Sequence, residues 1–158
     1  MIVVVDASLA AKWMLWETDT RDALRFLYYK DRSVCGPDLL FIEVAAAIVA
    51  RANARKEIVP DALKALEKWT IAWGEHVVRP HRVTQRRLYE AGKLAIALGH
   101  PLKDCIYLAL AIELSCPLAT CDRKLVRKAA SVYPEVKLLH EFELADDGIF
   151  GPNDKGIR

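Results

Sequence analysis

Hydrophobic residues along the chain follow two patterns that alternate. Short apolar runs without a polar residue at every second position predict strands buried on both faces, at residues 2–5, 33–35, 77–78, 118–120 and 136–139. Longer segments with apolar residues three and four positions apart predict helices, at residues 7–15, 18–30, 38–55, 60–73, 82–98, 100–113 and 122–130. The chain is therefore predicted to alternate strands with helices.

The ends of three predicted helices carry residues that start or stop helices. Ser8 is a candidate N-cap, whose hydroxyl would accept a hydrogen bond from a free N–H of the first turn. Pro60 stands near a helix start, where its missing N–H costs little, and Gly99 is typical of a helix end. These residues support the predicted boundaries.

Strands that alternate with helices predict an α/β fold. We expect a three-layer α/β/α domain with a central, mostly parallel sheet of about five strands. The chain has 158 residues, the usual size of one domain, and no internal repeat is visible. We assign the folded domain to residues 1–142. The segment 143–158, rich in Asp and Gly, is expected to be a flexible C-terminal tail.

Composition and charge exclude several classes of protein. A chain that is 53% hydrophobic and 28% charged is unlike a disordered protein. No run reaches the roughly 18 apolar residues of a membrane span, and the N-terminus lacks the basic start of a secretory signal, so we expect a cytoplasmic protein. The four cysteines and four histidines lack the spacings of zinc sites. A net charge of +2 permits a nucleic-acid partner without arguing for one.

Four acidic residues stand where the fold alone gives them little to do. Asp6 ends the first strand and Asp122 follows the fourth, and ligand sites form at the carboxyl ends of parallel strands. Glu43 lies in a stretch of helix that is apolar on every face, so we expect the helix to be buried and the carboxylate to need a partner. Asp104 is the single acid among residues 101–112.

Each of these acids also has a simpler structural explanation. Asp6 and Asp122 suit helix N-caps, Asp104 suits the first turn of a helix, and Glu43 suits an ion pair with an arginine. One carboxylate cluster around a divalent cation explains all four together. Ligands that are all oxygen select Mg²⁺ or Mn²⁺ over zinc. Such a site activates water and shields a phosphodiester during in-line displacement, which indicates a nuclease.

The segments around the acids resemble one family. VVVDAS, PDLLFIEV, HPLKDCIYLALAIE and LATCDRKL, in this order, are similar to segments of the PIN-domain ribonucleases, and among these of the VapC-type toxins of prokaryotic toxin–antitoxin pairs. The resemblance covers about residues 2–142. It implies an acidic quartet that binds Mg²⁺ or Mn²⁺, formed by Asp6, Glu43, Asp104 and Asp122. It also implies that Ser8 and Thr120 orient carboxylates or a bound water.

The resemblance further implies an activity and partners. A PIN domain of this type is expected to be a metal-dependent endoribonuclease that cuts structured RNA such as tRNA or rRNA, to form a homodimer, and to bind a cognate antitoxin. Basic residues close in sequence to the acids are candidate contacts to RNA phosphates or, equally, ordinary solvated charges: Lys12, Lys103, Arg123 and Lys124. The family usually has a small residue where Cys121 stands.

Two other functions stay open at this point. A catalytically silent PIN module would serve as a protein or RNA interaction platform, although its acids would then have no chemical role. A phosphatase of the haloacid dehalogenase type is superficially suggested by VVVDAS, but those enzymes carry a second acid where Ser8 stands. Neither alternative uses all four acids.

Overall fold

A computed structural model describes residues 1–146 and Gly148 of the chain. Five strands form one sheet in the order β3-β2-β1-β4-β5, and every neighbouring pair is parallel. The strands are β1 (Ile2–Val5), β2 (Ser33–Pro37), β3 (Arg79–His81), β4 (Leu118–Thr120) and β5 (Val136–Leu138). The predicted three-layer α/β/α fold is confirmed.

Seven α-helices flank the sheet within the described residues. They are α1 (Ala7–Met14), α2 (Thr20–Leu27), α3 (Leu39–Ala54), α4 (Val59–Gly74), α5 (Gln85–Leu98), α6 (Leu102–Leu114) and α7 (Arg123–Ala129). All seven predicted helices are present, with ends that differ by a few residues. The largest differences are three residues. Helix α2 ends three residues earlier than predicted, and α5 starts three residues later because Thr84 accepts a hydrogen bond from the N–H of Arg87 and caps the helix there.

The third strand lies two residues later than predicted. Val78 is buried, but the main chain pairs with β2 only from Arg79 onward, where Cys35 faces Arg79 and Pro37 faces His81. The segment Arg79–His81 has no apolar run, and Pro80 is tolerated because β3 is an edge strand. The predicted position was wrong because strand pairing, not hydrophobicity, defines this edge.

Strand β2 is longer than predicted, since it includes Gly36 and Pro37. A Cβ at Gly36 would lie 2.9 Å from Cδ2 of Leu40 and 3.3 Å from the carbonyl oxygen of Val5. Glycine at this position therefore permits the close approach of β2, the end of β1 and the start of α3. This contact brings α3 close to the carboxyl end of the sheet.

Helix α3 is buried on one side only, so the expectation that it is largely buried is wrong. Leu40, Val44 and Ile48 are buried, whereas Ile42 is 63% exposed and Val49 is 46% exposed. The helix is apolar all round but packs on one side only, against α1, α4 and β2. Apolar sequence alone could not tell which side would be covered.

Helices α5 and α6 are joined by a short, sharply turned connection. Gly99 ends α5 in the left-handed conformation, with φ of 55°, and Pro101 precedes the first residue of α6. Among the described residues no single helix is both long and apolar enough to cross a membrane; the bent pair α5 and α6, at 116°, passes that test by length and composition. The connection holds His100 between the two helices.

The start of the predicted tail contacts helix α2. The guanidinium of Arg25 donates to the carbonyl of Ala145 at 2.6 Å, and the N–H of Ala145 donates to the carbonyl of Arg25 at 3.1 Å. The hydroxyl of Tyr29 donates to the carboxylate of Glu143 at 2.5 Å. Apart from Gly148, the part of 143–158 beyond residue 146 lies outside the described residues, and the domain boundary at residue 142 stays a prediction.

Candidate functional site

Four elements bring the four acids to one cavity. Asp6 follows β1 and Asp122 follows β4, and these strands are neighbours in the sheet. Glu43 lies on α3 and Asp104 lies in the first turn of α6. All four acids line a cavity of about 510 Å³ at the carboxyl end of the sheet. The structure therefore places the four sequence-predicted residues together.

Asp6 is buried, with 6% of the residue exposed, and hydrogen bonds hold both of its oxygens. Its Oδ1 accepts from the hydroxyl of Ser8 at 2.7 Å and from the N–H of Leu9 at 3.0 Å, and its Oδ2 accepts from the hydroxyl of Thr120 at 2.5 Å. Asp6 is thus the N-cap of α1, and the prediction that Ser8 caps this helix is wrong. Ser8 instead donates its proton to the capping carboxylate.

The hydroxyls of Ser8 and Thr120 join the ends of β1 and β4. Their oxygens lie 3.3 Å apart. The N–H of Cys121 donates to Ser8 Oγ at 2.9 Å, and the N–H of Asp122 donates to Thr120 Oγ1 at 2.8 Å. Both hydroxyls donate to Asp6 and accept from the main chain after β4. The arrangement fixes the orientation of the Asp6 carboxylate.

Glu43 is held by two residues of α6. Its Oε2 accepts from the hydroxyl of Tyr107 at 2.5 Å, and its Oε1 lies 3.0 Å from Nζ of Lys103. Its ion-pair partner is therefore a lysine and not an arginine. Sequence reasoning missed Tyr107, although its position three residues after Asp104 places both on one face of α6.

Asp104 and Asp122 face the buried imidazole of His100. Nε2 of His100 lies 3.2 Å from Oδ2 of Asp104 and 3.7 Å from Oδ2 of Asp122. The other oxygen of Asp122 accepts from the N–H groups of Lys124 and Leu125 and caps α7. Sequence reasoning set His100 aside because it forms no zinc motif, yet its spacing of four residues from Asp104 was an available signal.

Burial and mutual repulsion disfavour the ionised carboxylates. Burial raises the pKa of Asp6 to about 6, although hydrogen bonds from Thr120, Ser8 and Leu9 oppose the increase. Burial also raises the pKa of Asp104; the charges of Lys103 and His100 oppose this, while other carboxylates of the site add to it. The cavity thus holds carboxylates whose negative charge is costly without a cation.

Of the four basic residues predicted to contact RNA, one lines the cavity in the described part of the chain. Lys103 lines it and pairs with Glu43. Nζ of Lys12 is directed to Glu17, at 2.9 Å. The remaining two residues are exposed at the start of α7 and do not line the cavity: Arg123 and Lys124.

Two further cavity residues were not predicted. Glu17 and Arg51 line the far end of the cavity, and Nη2 of Arg51 lies 2.6 Å from Oε1 of Glu17. Glu17 also pairs with Lys12. The single carboxylate of Glu17 therefore partly neutralises both Lys12 and Arg51. No local motif marks this cluster, since its residues come from α1, the α1–α2 connection and α3.

The fold and these acids agree with a comparison to known families. A model of the PIN domain matches residues 3–131 of the chain. This chain belongs to the PIN domain family. The resemblance found in the sequence is confirmed, and the matched part of the PIN domain contains all four acids together with His100 and Tyr107.

Solved structures with the same fold include toxins. PAE2754 from Pyrobaculum aerophilum is similar to this PIN domain with a TM-score of 0.65 and 20% identity, over 89% of this chain and 91% of that chain. VapC20 from Mycobacterium tuberculosis, whose structure is described as a sarcin-ricin loop cleaving toxin, has a TM-score of 0.64 and 18% identity, over 85% and 98% of the two chains.

A third structure, VapBC2 from Rickettsia felis bound to a DNA fragment from its promoter, has a TM-score of 0.58 and 13% identity, over 87% of this chain and 97% of that chain. No curated protein sequence matches this chain. At these identities the structural likeness shows the fold of the PIN domain alone.

Proposed function

We propose that this PIN domain is a metal-dependent endoribonuclease that hydrolyses RNA phosphodiester bonds with Mg²⁺ or Mn²⁺. The observation that carries the proposal is the convergence of Asp6, Glu43, Asp104 and Asp122, from four separate elements, on one cavity of about 510 Å³. Structural ion pairs alone would not require four acids at one edge of a sheet. The family supports a nuclease role for this set of residues.

The residues of the cavity fit a divalent cation. Four carboxylates supply hard oxygen ligands. Burial together with neighbouring carboxylates raises the pKa of Asp6 and of Asp104, so a bound cation would favour their ionised forms. The four acids would hold the ion. The chemistry that such an ion supplies is the activation of water and the shielding of the phosphodiester charge.

Other residues of this chain prepare the cavity. Ser8 and Thr120 keep the Asp6 carboxylate oriented, and Tyr107 keeps Glu43 directed to the cavity. The hydroxyls of Ser8 and Thr120 do not act as nucleophiles in this proposal, because each donates its proton to Asp6. Lys103, on the wall beside Glu43, would contact an RNA phosphate, and Lys12, Arg123 and Lys124 are proposed to contact the RNA farther out.

We further propose that the domain is the toxin of a VapBC-type pair that acts in the cytoplasm. Its fold is shared with VapC20, described as cleaving the sarcin-ricin loop, and with the VapBC2 structure. These likenesses support a structured RNA of the tRNA or rRNA class as substrate, and a cognate antitoxin as partner. A homodimer is the proposed assembly.

The test is cleavage of total cellular RNA by purified protein with Mg²⁺, with Mn²⁺ and with EDTA. Discrete fragments that require metal and vanish in Asp6→Asn and Asp104→Asn are expected. Asp31→Asn is the matched control, because Asp31 is exposed and precedes β2 at the opposite end of the sheet. Absence of metal-dependent cleavage from a folded, antitoxin-free sample would contradict the proposal and favour a silent interaction module.

A further inference from the structure

The imidazole of His100 is buried without a hydrogen-bond partner. Its side chain is 2% exposed, and neither ring nitrogen makes a hydrogen bond within the described part of the chain. Arg32 has the other unpartnered buried side-chain nitrogen found there, but its guanidinium donates through both of its terminal nitrogens. A buried polar group without a hydrogen bond is costly. The contacts that His100 does make are ion-pair distances from Nε2 to Asp104 and Asp122, so the imidazole calls for a ligand or a function.

The main chain fixes the position of His100 between the two helices. The left-handed Gly99 ends α5, the N–H of His100 donates to the carbonyl of Ala95 at 3.1 Å, and Pro101 follows directly. The residue is thus clamped between two helices. Its Nε2 is directed to the side of the cavity formed by Asp104 and Asp122.

The separations of His100 from the two carboxylates match ligands of one ion. Nε2 of His100 lies 3.2 Å from Oδ2 of Asp104 and 3.7 Å from Oδ2 of Asp122, and one donor atom from each residue lies within 4.8 Å of the others. Around an octahedral ion with bonds of about 2.1 Å, adjacent donors lie about 3 Å apart and opposite donors about 4.2 Å apart. The two separations from His100 therefore lie between those of adjacent and of opposite donors around one ion.

The carboxylates of Asp104 and Asp122 also have oxygens that are free to bind a metal ion. The capping bonds from Lys124 and Leu125 use Oδ1 of Asp122 and leave Oδ2 on the His100 side. Within the described residues, Asp104 accepts no hydrogen bond from a side chain or the main chain, in contrast to Asp6, whose oxygens accept three. Asp104 and Asp122 therefore keep oxygens free for an ion on the side of His100.

We propose that His100 is a nitrogen ligand of a cation position that it shares with Asp104 and Asp122, and that this position prefers Mn²⁺ or Co²⁺ to Mg²⁺. Imidazole suits first-row transition ions, whereas Mg²⁺ favours oxygen and water. The inference rests on the proposed metal-dependent function for the presence of an ion. It adds a nitrogen ligand to the four carboxylates, and with it a preference for Mn²⁺ or Co²⁺.

A counter-ion role for His100 predicts the opposite behaviour. If a protonated His100 merely balanced Asp104 and Asp122, its removal would leave more net negative charge and would tighten the binding of every divalent cation. If His100 is a ligand, its removal weakens Mn²⁺ and Co²⁺ much more than Mg²⁺. The ratio of affinities for Mn²⁺ and Mg²⁺ therefore separates the two roles.

The experiment is isothermal titration of metal-free protein with Mn²⁺, Co²⁺ and Mg²⁺ in the wild type, His100→Asn and His100→Gln. His140→Asn is the matched control, since His140 is exposed. We expect His100→Asn to weaken Mn²⁺ and Co²⁺ about tenfold or more and Mg²⁺ far less. Circular dichroism and the unfolding midpoint show whether each variant is folded. Unchanged or tighter Mn²⁺ binding in a folded variant would overturn the proposal.

A second readout needs no variant. Pulsed electron paramagnetic resonance of Mn²⁺-loaded wild type, with and without ¹⁵N-histidine, is expected to show a nitrogen coupled to the ion. A bound Mn²⁺ without such a coupling, or a wild type that binds no divalent ion, would refute the inference. Because neither readout uses RNA, a protein with a coupled nitrogen that cleaves no RNA would refute the nuclease proposal and leave this one standing.

Discussion

The two halves of the acidic cavity are built differently. In the closed corner, formed by Asp6, Ser8 and Thr120, three hydrogen bonds hold both oxygens of a buried carboxylate. In the open corner, formed by Asp104 and Asp122 of the cavity wall and the buried His100, the imidazole makes no hydrogen bond among the described residues and lies 3.2 Å from one carboxylate.

This difference shows how one cavity combines rigidity with binding capacity. The closed corner is largely satisfied by the protein itself, because Asp6 also caps α1 and its partners tie β1 to β4. The open corner leaves its lone pairs for an ion. Changes in the closed corner should therefore affect stability with or without metal, whereas changes in the open corner should act chiefly through the metal.

The largest effect is expected from Asp6→Asn. Asparagine keeps the cap but loses the charge, so RNA cleavage should fall by about 100-fold or more. In metal-free protein the same change should stabilise the fold at pH 8, by at most about 3 kcal/mol, because burial raises the pKa of Asp6 to about 6. Unfolding midpoints in urea, measured with EDTA, test this.

The pH dependence of that variant provides its own control. The proton that Asp6 binds favours the folded wild type, so this contribution is full below the unfolded pKa of about 3.8 and is lost as the pH rises through about 6. The advantage of Asp6→Asn should therefore vanish near pH 4. A variant less stable than the wild type at pH 8 would mean that the hydrogen bonds outweigh the cost of burial.

The next largest effect is the stabilisation of the fold by Mn²⁺. It should depend on the residues of the open corner. Mn²⁺ at about 100 times its dissociation constant should stabilise the wild type by about 2.7 kcal/mol. Asp104→Asn removes a proposed ligand and should abolish most of this gain, while Asp31→Asn should keep it. Thermal unfolding with graded Mn²⁺ and with EDTA measures both. A full gain in Asp104→Asn would place the ion elsewhere.

A smaller effect, a loss of folding stability, is expected from Thr120→Val, which removes a hydroxyl of the closed corner. The fully buried hydroxyl donates to Asp6 and accepts from the N–H of Asp122, so its removal leaves both without this partner. We expect a loss of about 1 to 3 kcal/mol, with or without Mn²⁺. Thr70→Val, on the exposed face of α4, is the control and should change stability little. Equal losses in the two variants would contradict the role given to Thr120.

The sequence could predict the sheet and the positions of Asp6 and Asp122 for a common reason. Buried parallel strands such as β1 and β4 are marked by continuous apolar runs, and the residue that ends such a strand lies at the edge where ligands bind. Asp6 and Asp122 could thus be placed without knowledge of their neighbours. Both turned out to be helix caps as well, so the simpler explanations and the shared cavity are compatible.

Contacts between distant elements could not be predicted in the same way. Tyr107 meets Glu43 across 64 positions of sequence, and the side of α3 that is covered depends on where α1 and α4 pack. The edge strand β3 is defined by main-chain pairing with β2, which leaves no pattern in its side chains. His100 falls between these cases, since its four-residue spacing to Asp104 was visible but only the fold shows that it is buried and unpartnered.

The smallest effect on cleavage is expected from Tyr107→Phe. This variant tests whether Glu43 belongs with the closed or with the open corner. The change removes the 2.5 Å hydrogen bond to Oε2 but keeps the ring of a buried residue, and Lys103 still pairs with Oε1. Cleavage should fall about tenfold at limiting Mn²⁺ and recover at saturating Mn²⁺, since outer-shell partners usually change metal affinity by about 10- to 100-fold. Tyr89→Phe, an exposed tyrosine of α5, should show no change. A loss that saturating Mn²⁺ does not restore, together with a lower unfolding midpoint, would instead show that Tyr107, like Thr120, stabilises the fold, and Glu43 would then belong with the closed corner.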